Sequence, residues 1–355
     1  MTITSLDNFG HASGSISMSE LRDYYGQTGA VSLNANLNGG TNPVPDDLPA
    51  SGTTTSFSNY RSKNRILRKK GLTVLSFSLL GSTWTPINSG CVQYNIYVVG
   101  GGGSGGGHST DSGREKVASG GGGGGTAFRR YSVQDHSITS ATVSWGTQAA
   151  GVSYPASSGT QISGNNGADI SFNPNGSGAT ISATGGSRGF GGRQGLLTDT
   201  VTSTLPVGEN STAATQGAWG QCSSSVGGTG SGGESNYTGG IGTGFNIGGD
   251  SSIASGGGGP SFGSGAPNGE TVSAGGYLKG ATTNAPTYPT EWGTDIANDQ
   301  FLGGAGVQHS SGAAGASDAG GFGSGSGGSA SESGAGSTGA GGGAAIITTY
   351  YEVNT

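Results

Sequence analysis

Four histidines, His11, His108, His136 and His309, are the first residues to weigh as metal ligands or proton carriers. None stands at the paired spacing that holds a metal on one face of an element. Two cysteines, Cys91 and Cys222, are too few for a metal site or a disulfide framework. Serine is abundant, but strings such as Gly103-Ser104-Gly105 follow from composition and sit at no strand-to-helix elbow. The run Gly100 to Gly107 satisfies Gly-x-Gly-x-x-Gly trivially, with no helix or lysine after it to cradle a phosphate. Glu291 and Asp295 are spaced so that they could face one another as a glycosidase pair. Solvated loop acids are the commoner reading of such a pair. The expectation is a protein with no catalytic residues, no metal and no cofactor.

Recognition chemistry is better supplied. Residues 266–302 carry Tyr277, Lys279, Tyr288, Glu291, Trp292, Asp295 and Phe301. Residues 193–225 carry Arg193, Glu209 and Trp219, and residues 108–119 carry His108, Asp111, Arg114, Glu115 and Lys116. Aromatic rings beside polar groups suit the binding of sugars or of protein loops, with the rings as anchors. Arg114, Trp219, Tyr277, Tyr288, Trp292 and Phe301 are therefore the candidate receptor-binding residues. For any one ring, folding inward to seal a long loop is an equal alternative.

The elements that must carry these loops are unusual. There are 79 glycines in 355 residues, about three times ordinary usage. No Gly-X-Y period is present, so collagen is excluded. Charged residues make up 10%, too few for an ordinary solvated disordered chain. Apolar residues make up only 30%, so ten Phe, twelve Tyr and four Trp must do much of the burial. The net charge of −6 does not favour nucleic acid or an anionic membrane. No apolar run approaches the ~20 residues of a membrane span. Residues 1–5 lack the basic start and apolar core of a secretory signal. The expectation is a cytosolic protein, or one released by lysis as part of a particle.

From Leu72 the apolar period is two. Residues 72–80 read as a strand, Gly81-Ser82 as a turn and 83–86 as an edge piece. Residues 91–99 form an apolar strand that runs straight into glycine. Residues 126–133 and 140–146 read as a hairpin, and 168–172 with 179–183 as another across Asn173-Pro174-Asn175-Gly176. The closing strand 344–353 would pair beside 91–99. Trp84 and Trp145 belong to these strands and are expected in the core.

Residues 1–60 differ. A short unit recurs: Ser17-Met18-Ser19-Glu20-Leu21-Arg22, Ser32-Leu33-Asn34-Ala35-Asn36-Leu37 and Ser56-Phe57-Ser58-Asn59-Tyr60-Arg61. Serine before a short apolar pattern suits an N-cap and one or two helical turns. Such units are too small to fold alone and are expected to dock on a neighbour. The basic stretch Arg61, Lys63, Arg65, Arg68, Lys69 and Lys70 reads as a solvated linker or a short bridging helix, ahead of contact with an acidic subunit or a nucleic acid, since no aromatics interleave it to stack on bases.

Gly14-Ser15-Ile16-Ser17-Met18-Ser19-Glu20-Leu21-Arg22-Asp23-Tyr24-Tyr25-Gly26 resembles units that recur in structural proteins of tailed bacteriophages. The second copy departs from that pattern, with Leu37-Asn38 where tyrosines are usual. The run from Thr83-Trp84-Thr85-Pro86 to Val98-Val99-Gly100-Gly101-Gly102, with 120–126, 143–146 and the closing strand, resembles the glycine-rich domain of phage tail and fibre proteins. A related architecture is the adhesin at the tip of T-even-like long tail fibres, where glycine stretches stack as polyglycine II helices and carry variable loops.

A three-fold extended helix has no internal hydrogen bonds, and ordering a residue costs roughly 1–2 kcal/mol, glycine losing the most. Each lateral backbone bond nets only about 0.5–1.5 kcal/mol, so such a lattice must be dense, with any side chain pointing outward. Eight legs are expected: 100–107, 120–125, 185–192, 226–233, 255–265, 303–306, 319–328 and 334–343. If each crosses once, loops 108–119, 193–225, 266–302 and 329–333 lie at a far end. Loops 234–254 and 307–318 then lie near the sheet. Cys91 and Cys222 fall at opposite ends, unbonded.

These readings give a mainly β chain: an irregular N-terminal arm with short helical turns, then a small sheet and stacked polyglycine II helices with long loops. Residues 1–70 would form a virion-attachment arm docking other virion subunits through Met18, Leu21, Tyr24, Tyr25, Leu33, Phe57 and Tyr60. Residues 71–355 would form a receptor-binding domain. The resemblance implies a phage tail-fibre or tail-tip adhesin, resident in the virion, binding a host glycan or outer-membrane protein and no nucleic acid. It leaves homotrimer and monomer both open. A non-adhesive capsid fibre or tail adaptor, a polysaccharide-degrading tail protein and an ice-binding polyglycine II protein are the rivals.

Overall fold

The computed structural model describes residues 67–76, 83–84, 91, 93–110, 118–132, 140–156, 160–175, 179–191, 211–215, 221–242, 253–258, 289, 292, 295–296, 300–304, 306–309, 316–332 and 334–353. The chain is mainly β, and helix is essentially absent among these residues. The expected arm 1–60 and its docking residues, Met18, Leu21, Tyr24, Tyr25, Leu33, Phe57 and Tyr60, lie outside them.

The main sheet combines β1 (Leu67–Ser76), β18 (Ala345–Val353), β3 (Gln93–Val99), β5 (Thr126–Ser132) and β14 (Ser235–Tyr237), in that order. Every neighbouring pair is antiparallel. The closing strand does pair beside 91–99, with Ala345 opposite Val99 and Tyr351 opposite Gln93. β1 starts at Leu67 rather than Leu72, so part of the basic stretch is strand and not linker. Lys70 forms a bulge there, the register passing from Lys69↔Tyr351 to Gly71↔Tyr350. Its ammonium lies 3.1 Å from Glu352, which gives the bulged charge a partner on the adjacent strand.

A second sheet runs β13 (Gly230–Ser231), β10 (Ile181–Ala183), β9 (Ile170–Pro174), β6 (Ala141–Trp145) and β2 (Thr83–Trp84). β9 and β10 form the expected hairpin, and β2 is the expected edge. The expected hairpin of 126–133 with 140–146 does not form. β5 pairs with β3 and β14, while β6 pairs with β2 and β9. The physical reason is amphipathicity: the inner faces of the two sheets cover each other. Tyr94, Ile96, Val98, Tyr131, Ile346 and Tyr350 of the main sheet meet Trp84, Val143, Ile170, Phe172 and Ile181 in one cluster. Its rings pack edge-on, Trp84 against Tyr94 at 5.6 Å and against Phe172 at 5.3 Å. Trp84 is buried as expected, and Trp145 packs on the cluster margin.

β3 is buried on both faces, as its uninterrupted apolar run requires. Tyr94, Ile96 and Val98 face the second sheet, and Tyr97 and Val99 face the other way. That second face is covered by Ile253, Trp292, Ile296, Phe301 and Phe322, drawn from segments between the glycine runs.

Beyond the sheets, glycine segments bond laterally at a spacing of three. The amides of Gly100, Gly103 and Gly106 donate to the carbonyls of Gly125, Gly122 and Ser119. Those of Gly101 and Ser104 donate to Ala168 and Asn165, and that of Gly102 donates to Gly342. Segment 119–125 is enclosed by six others: 100–106, 184–190, 226–228, 239–240, 255–257 and 323–326. A Cβ on Gly121 would lie 2.0 Å from the carbonyl oxygen of Gly103, and one on Gly124 would lie 2.0 Å from that of Gly100. Backbone conformation does not demand glycine here, because only Gly232 and Gly323 have positive φ among the described residues. Space demands it.

The segments differ from the expected eight. Residues 147–152, 164–168 and 238–240 also carry lattice bonds. Residues 319–328 reverse around Phe322-Gly323 (φ 66°), since 317 and 320 run parallel to 337–340 while 323–326 run antiparallel to 121–124. The even-crossing argument therefore fails for the C-terminal third.

Candidate functional site

At the end away from the main sheet, outgoing segments converge into β15 (Val307–His309), β16 (Ser329–Glu332) and β4 (Gly107–Thr110), side by side, with β8 (Thr160–Ile162) antiparallel to β4 at the edge. β15, β16 and β4 are parallel without any crossover helix. Parallelism follows because the glycine segments feeding them leave the sheet in one direction. The expectation that 307–318 lies near the main sheet is thus corrected: Val307–His309 lies at the far end. Between β4 and β8 in the chain comes β7 (Ser153–Tyr154), paired with β17 (Gly336–Ser337). Tyr154 plugs this end. A Cβ on Gly107 would sit 2.3 Å from its ring, and one on Gly336 would sit 2.1 Å from its hydroxyl. The phenol shares a hydrogen bond of 2.9 Å with the Ser329 hydroxyl, and burial pushes its pKa upward against that bond. β11 (Ser211–Thr215) and β12 (Gln221–Ser225) form a hairpin within the expected loop 193–225.

Of the six candidate receptor residues, Arg114, Trp219, Tyr277 and Tyr288 lie outside the described residues. Trp292 and Phe301 do not lie in a far-end loop. They are 1% and 0% exposed, stacked on each other at 5.6 Å, and they cover the second face of the main sheet. Trp292 meets Tyr97 edge-on at 5.0 Å. In this chain they present no ring face to a receptor. The physical reason is that β3 and β18 are apolar on both faces, and large rings are the cheapest cover in a chain so poor in aliphatics. Asp295, weighed as a glycosidase carboxylate, is ion-paired to Lys69 at 2.6 Å, and its partner Glu291 lies outside the described residues. No cluster of metal-ligating side chains occurs among the described residues.

The lattice that carries the far end holds serines inward, where side chains were expected to point outward. Ser326 is fully buried; its hydroxyl accepts from Gly105 N (2.8 Å) and donates to Gly339 O (2.6 Å). Three-residue spacing from the Gly102–Gly342 bond would place Gly105 opposite Gly339, so the hydroxyl bridges a missing backbone bond. Ser324 does the same between Ser255 N and Phe301 O, and Ser317 between Gly339 N and Gly327 O. A serine in a glycine run is short enough to enter the lattice and replaces the bond it interrupts. The alternation Ser324-Gly325-Ser326-Gly327 was the visible signal of this role.

Cys91 is a free, buried thiol, in keeping with the expectation of no disulfide. Burial pushes its pKa up; Lys70 opposes this and Glu352 adds to it. A buried thiol held protonated is a poor nucleophile.

No protein-family model matches the chain, and no curated protein sequence matches it. The functional reading therefore rests on residues and geometry.

Proposed function

We propose that the chain is a structural and adhesive virion protein of a tailed bacteriophage, most simply a tail-fibre or tail-tip subunit that binds the host surface without chemistry. Residues 1–70 dock it to other virion subunits, and the glycine-rich domain carries the receptor-binding loops. In the same reading the glycine segments are stacked polyglycine II helices. The three-residue recurrence of lateral bonds, and the confinement of positive φ to Gly232 and Gly323 among the described glycines, support that assignment.

The observation that carries the proposal is the enclosure of segment 119–125 by six neighbours, which makes a rigid platform whose outgoing segments end together at β4, β15 and β16. A rigid platform presents long loops at low ordering cost. The partner is a host glycan or outer-membrane protein, and a homotrimer would multiply weak contacts. Exchanging residues 193–225 and 266–288 between particles of different host range tests the reading. Adsorption should follow the exchanged loops while particle assembly is unchanged. Adsorption indifferent to the exchange would leave a non-adhesive capsid fibre or tail adaptor.

A further inference from the structure

The ring cover on the second face of the main sheet stops short of the end of the sheet. Ile347, Tyr97 and Phe128, side by side on β18, β3 and β5, belong to the apolar cluster that Trp292 and Phe301 complete. The next residues across that face are Thr349, Asn95 and Arg130, followed by Tyr351 and Gln93. Over them opens a cavity of about 310 Å3, lined by Gln93, Asn95, Tyr97, Phe128, Arg130 and Tyr351, and by Pro289 ahead of the cover.

The fold holds the polar groups of this cavity in place. Asn95 is 5% exposed, and Gln93 Nε2 donates to its Oδ1 at 2.8 Å, which locks two amides together along β3. Tyr97 and Phe128 stack at 4.5 Å and close one side. The Arg130 guanidinium lies over the Phe128 ring, 5.8 Å from its centre. Glu234 gives one oxygen to the Arg130 backbone amide (3.2 Å) and stands 3.6 Å from Nε, beyond good hydrogen-bond distance. The N–H donors of the guanidinium thus meet no protein acceptor among the described residues. A cation braced on a ring, with its donors unused, lines a cavity that also holds two fixed amides.

We infer that this cavity binds a carboxylated sugar residue, a uronic or a sialic acid. With Glu234 on the Nε side, the Nη groups of Arg130 present a planar fork to the carboxylate. The amides of Gln93 and Asn95 serve the sugar hydroxyls. Tyr351 is half-buried and offers its ring to the C–H face of the pyranose. Arg130 is the one charged residue among the described residues that line the cavity, so charge complementarity selects an anion. The volume lies at the small end of ligand pockets, about 300–1,000 Å3, which suits a single sugar residue rather than a chain. The inference narrows the receptor class of the proposed function and rests on that reading only for the host surface as the source of the sugar.

The test is calorimetric titration of the full chain with α-1,4-linked trigalacturonic acid and with sialyllactose, against their uncharged counterparts, α-1,4-linked galactotriose and lactose. At least one acidic saccharide should bind saturably, with Kd in the range of about 0.1–1 mM, since a small open cavity makes few contacts. Its uncharged counterpart should bind at least tenfold more weakly. Arg130→Gln should weaken the acidic saccharide at least tenfold, and Arg130→Lys should restore only part of the loss, because an ammonium lacks the planar fork. Both variants change an exposed side chain and should melt with the parent protein. Gln93→Leu, which keeps the volume and removes an amide, should weaken binding at least threefold. No saturable binding of either acidic saccharide up to about 10 mM, an uncharged counterpart that binds as tightly, or binding that Arg130→Gln leaves unchanged overturns the inference. Adsorption that follows the exchanged loops while neither acidic saccharide binds keeps the proposed function and rejects the cavity. Saccharide binding lost in Arg130→Gln, with adsorption indifferent to the loops and to that variant, does the reverse.

Discussion

The two halves of this domain solve burial in opposite ways. The sheet pair buries rings: Trp84, Tyr94, Tyr131, Phe172 and Tyr350 fill one cluster between two amphipathic surfaces. The lattice buries few side chains larger than serine and is held by backbone bonds in several directions at once. Gly71 and Gly124 show the contrast. A Cβ on Gly71, in the bulged part of β1, would meet nothing within 4 Å, whereas one on Gly124 would collide with the Gly100 carbonyl. Glycine in the sheet is replaceable, and glycine in the lattice is the condition for the lattice.

The sharpest way to break that comparison is the pair Gly124→Ala and Gly71→Ala. Gly124→Ala should cost at least the ~3 kcal/mol at the upper end of overpacking, because the obstacle is backbone on a segment bonded from several sides. Gly71→Ala should stay within about 0.5 kcal/mol, as surface substitutions usually do. Urea unfolding monitored by tryptophan fluorescence measures both. Equal effects would mean that the lattice relaxes as readily as a strand.

Ser326→Ala comes next. It keeps the Cβ that the lattice already accommodates but strands the buried Gly105 N, at about 1–3 kcal/mol for an unpaired buried group, and the partly buried Gly339 O, at the lower end of that range. A total loss of roughly 2–4 kcal/mol is expected, and hydrogen exchange at Gly105 should accelerate. Ser337→Ala, on a partly exposed strand with no side-chain bond among those described, should change little. If Ser326→Ala were equally silent, the hydroxyl would be a passenger and not a bridge.

How far sequence could reach follows the same division. The sheet strands 91–99 and 344–353 and the hairpin 170–183 were legible because alternation of large residues reports which face is buried. The 126–146 pairing was not, since adjacent amphipathic strands are equally compatible with one sheet or with two facing sheets. In the lattice, the long runs announced themselves. Residues 147–152 and 164–168 did not, because Thr, Gln, Ala and Asn sit at the rim, where a side chain has room. Trp292 and Phe301 looked like loop anchors because the apolar run of β3 shows that both its faces need cover but not which distant segment supplies it.

The sheet core also makes stability pH-dependent at the alkaline end. Burial, with smaller contributions from Cys91 and Tyr350, pushes the Tyr94 phenol from an ordinary value near 10 up to about 12. Burial pushes Tyr131 and Tyr154 upward as well. A raised folded pKa means that the native state holds the proton more tightly than the unfolded chain. That contribution is complete below pH 10 and is lost as pH rises through 12. Stability should therefore be flat through neutral pH and fall above about 10, and Tyr94→Phe should make the fall shallower. Ultraviolet titration should show these phenols ionising only with unfolding.

The smallest effect belongs to an ion pair that ties the ring cover to the sheet. Lys69 reaches Asp295 at 2.6 Å and donates to the Trp292 carbonyl at 3.2 Å, yet both charged side chains stay partly in water. Exposed pairs are worth about 0.2–1 kcal/mol and weaken with salt, so Asp295→Asn should cost no more than that at low ionic strength, and less at 1 M. Trp292→Ala, by contrast, removes a fully buried ring and should cost about 3–5 kcal/mol. The ratio of the two locates what holds residues 289–301 against β3. A large, salt-sensitive loss in Asp295→Asn would mean that the cover is latched by charge, and the division between a ring-packed sheet and a backbone-bonded lattice would need a third kind of contact at their seam.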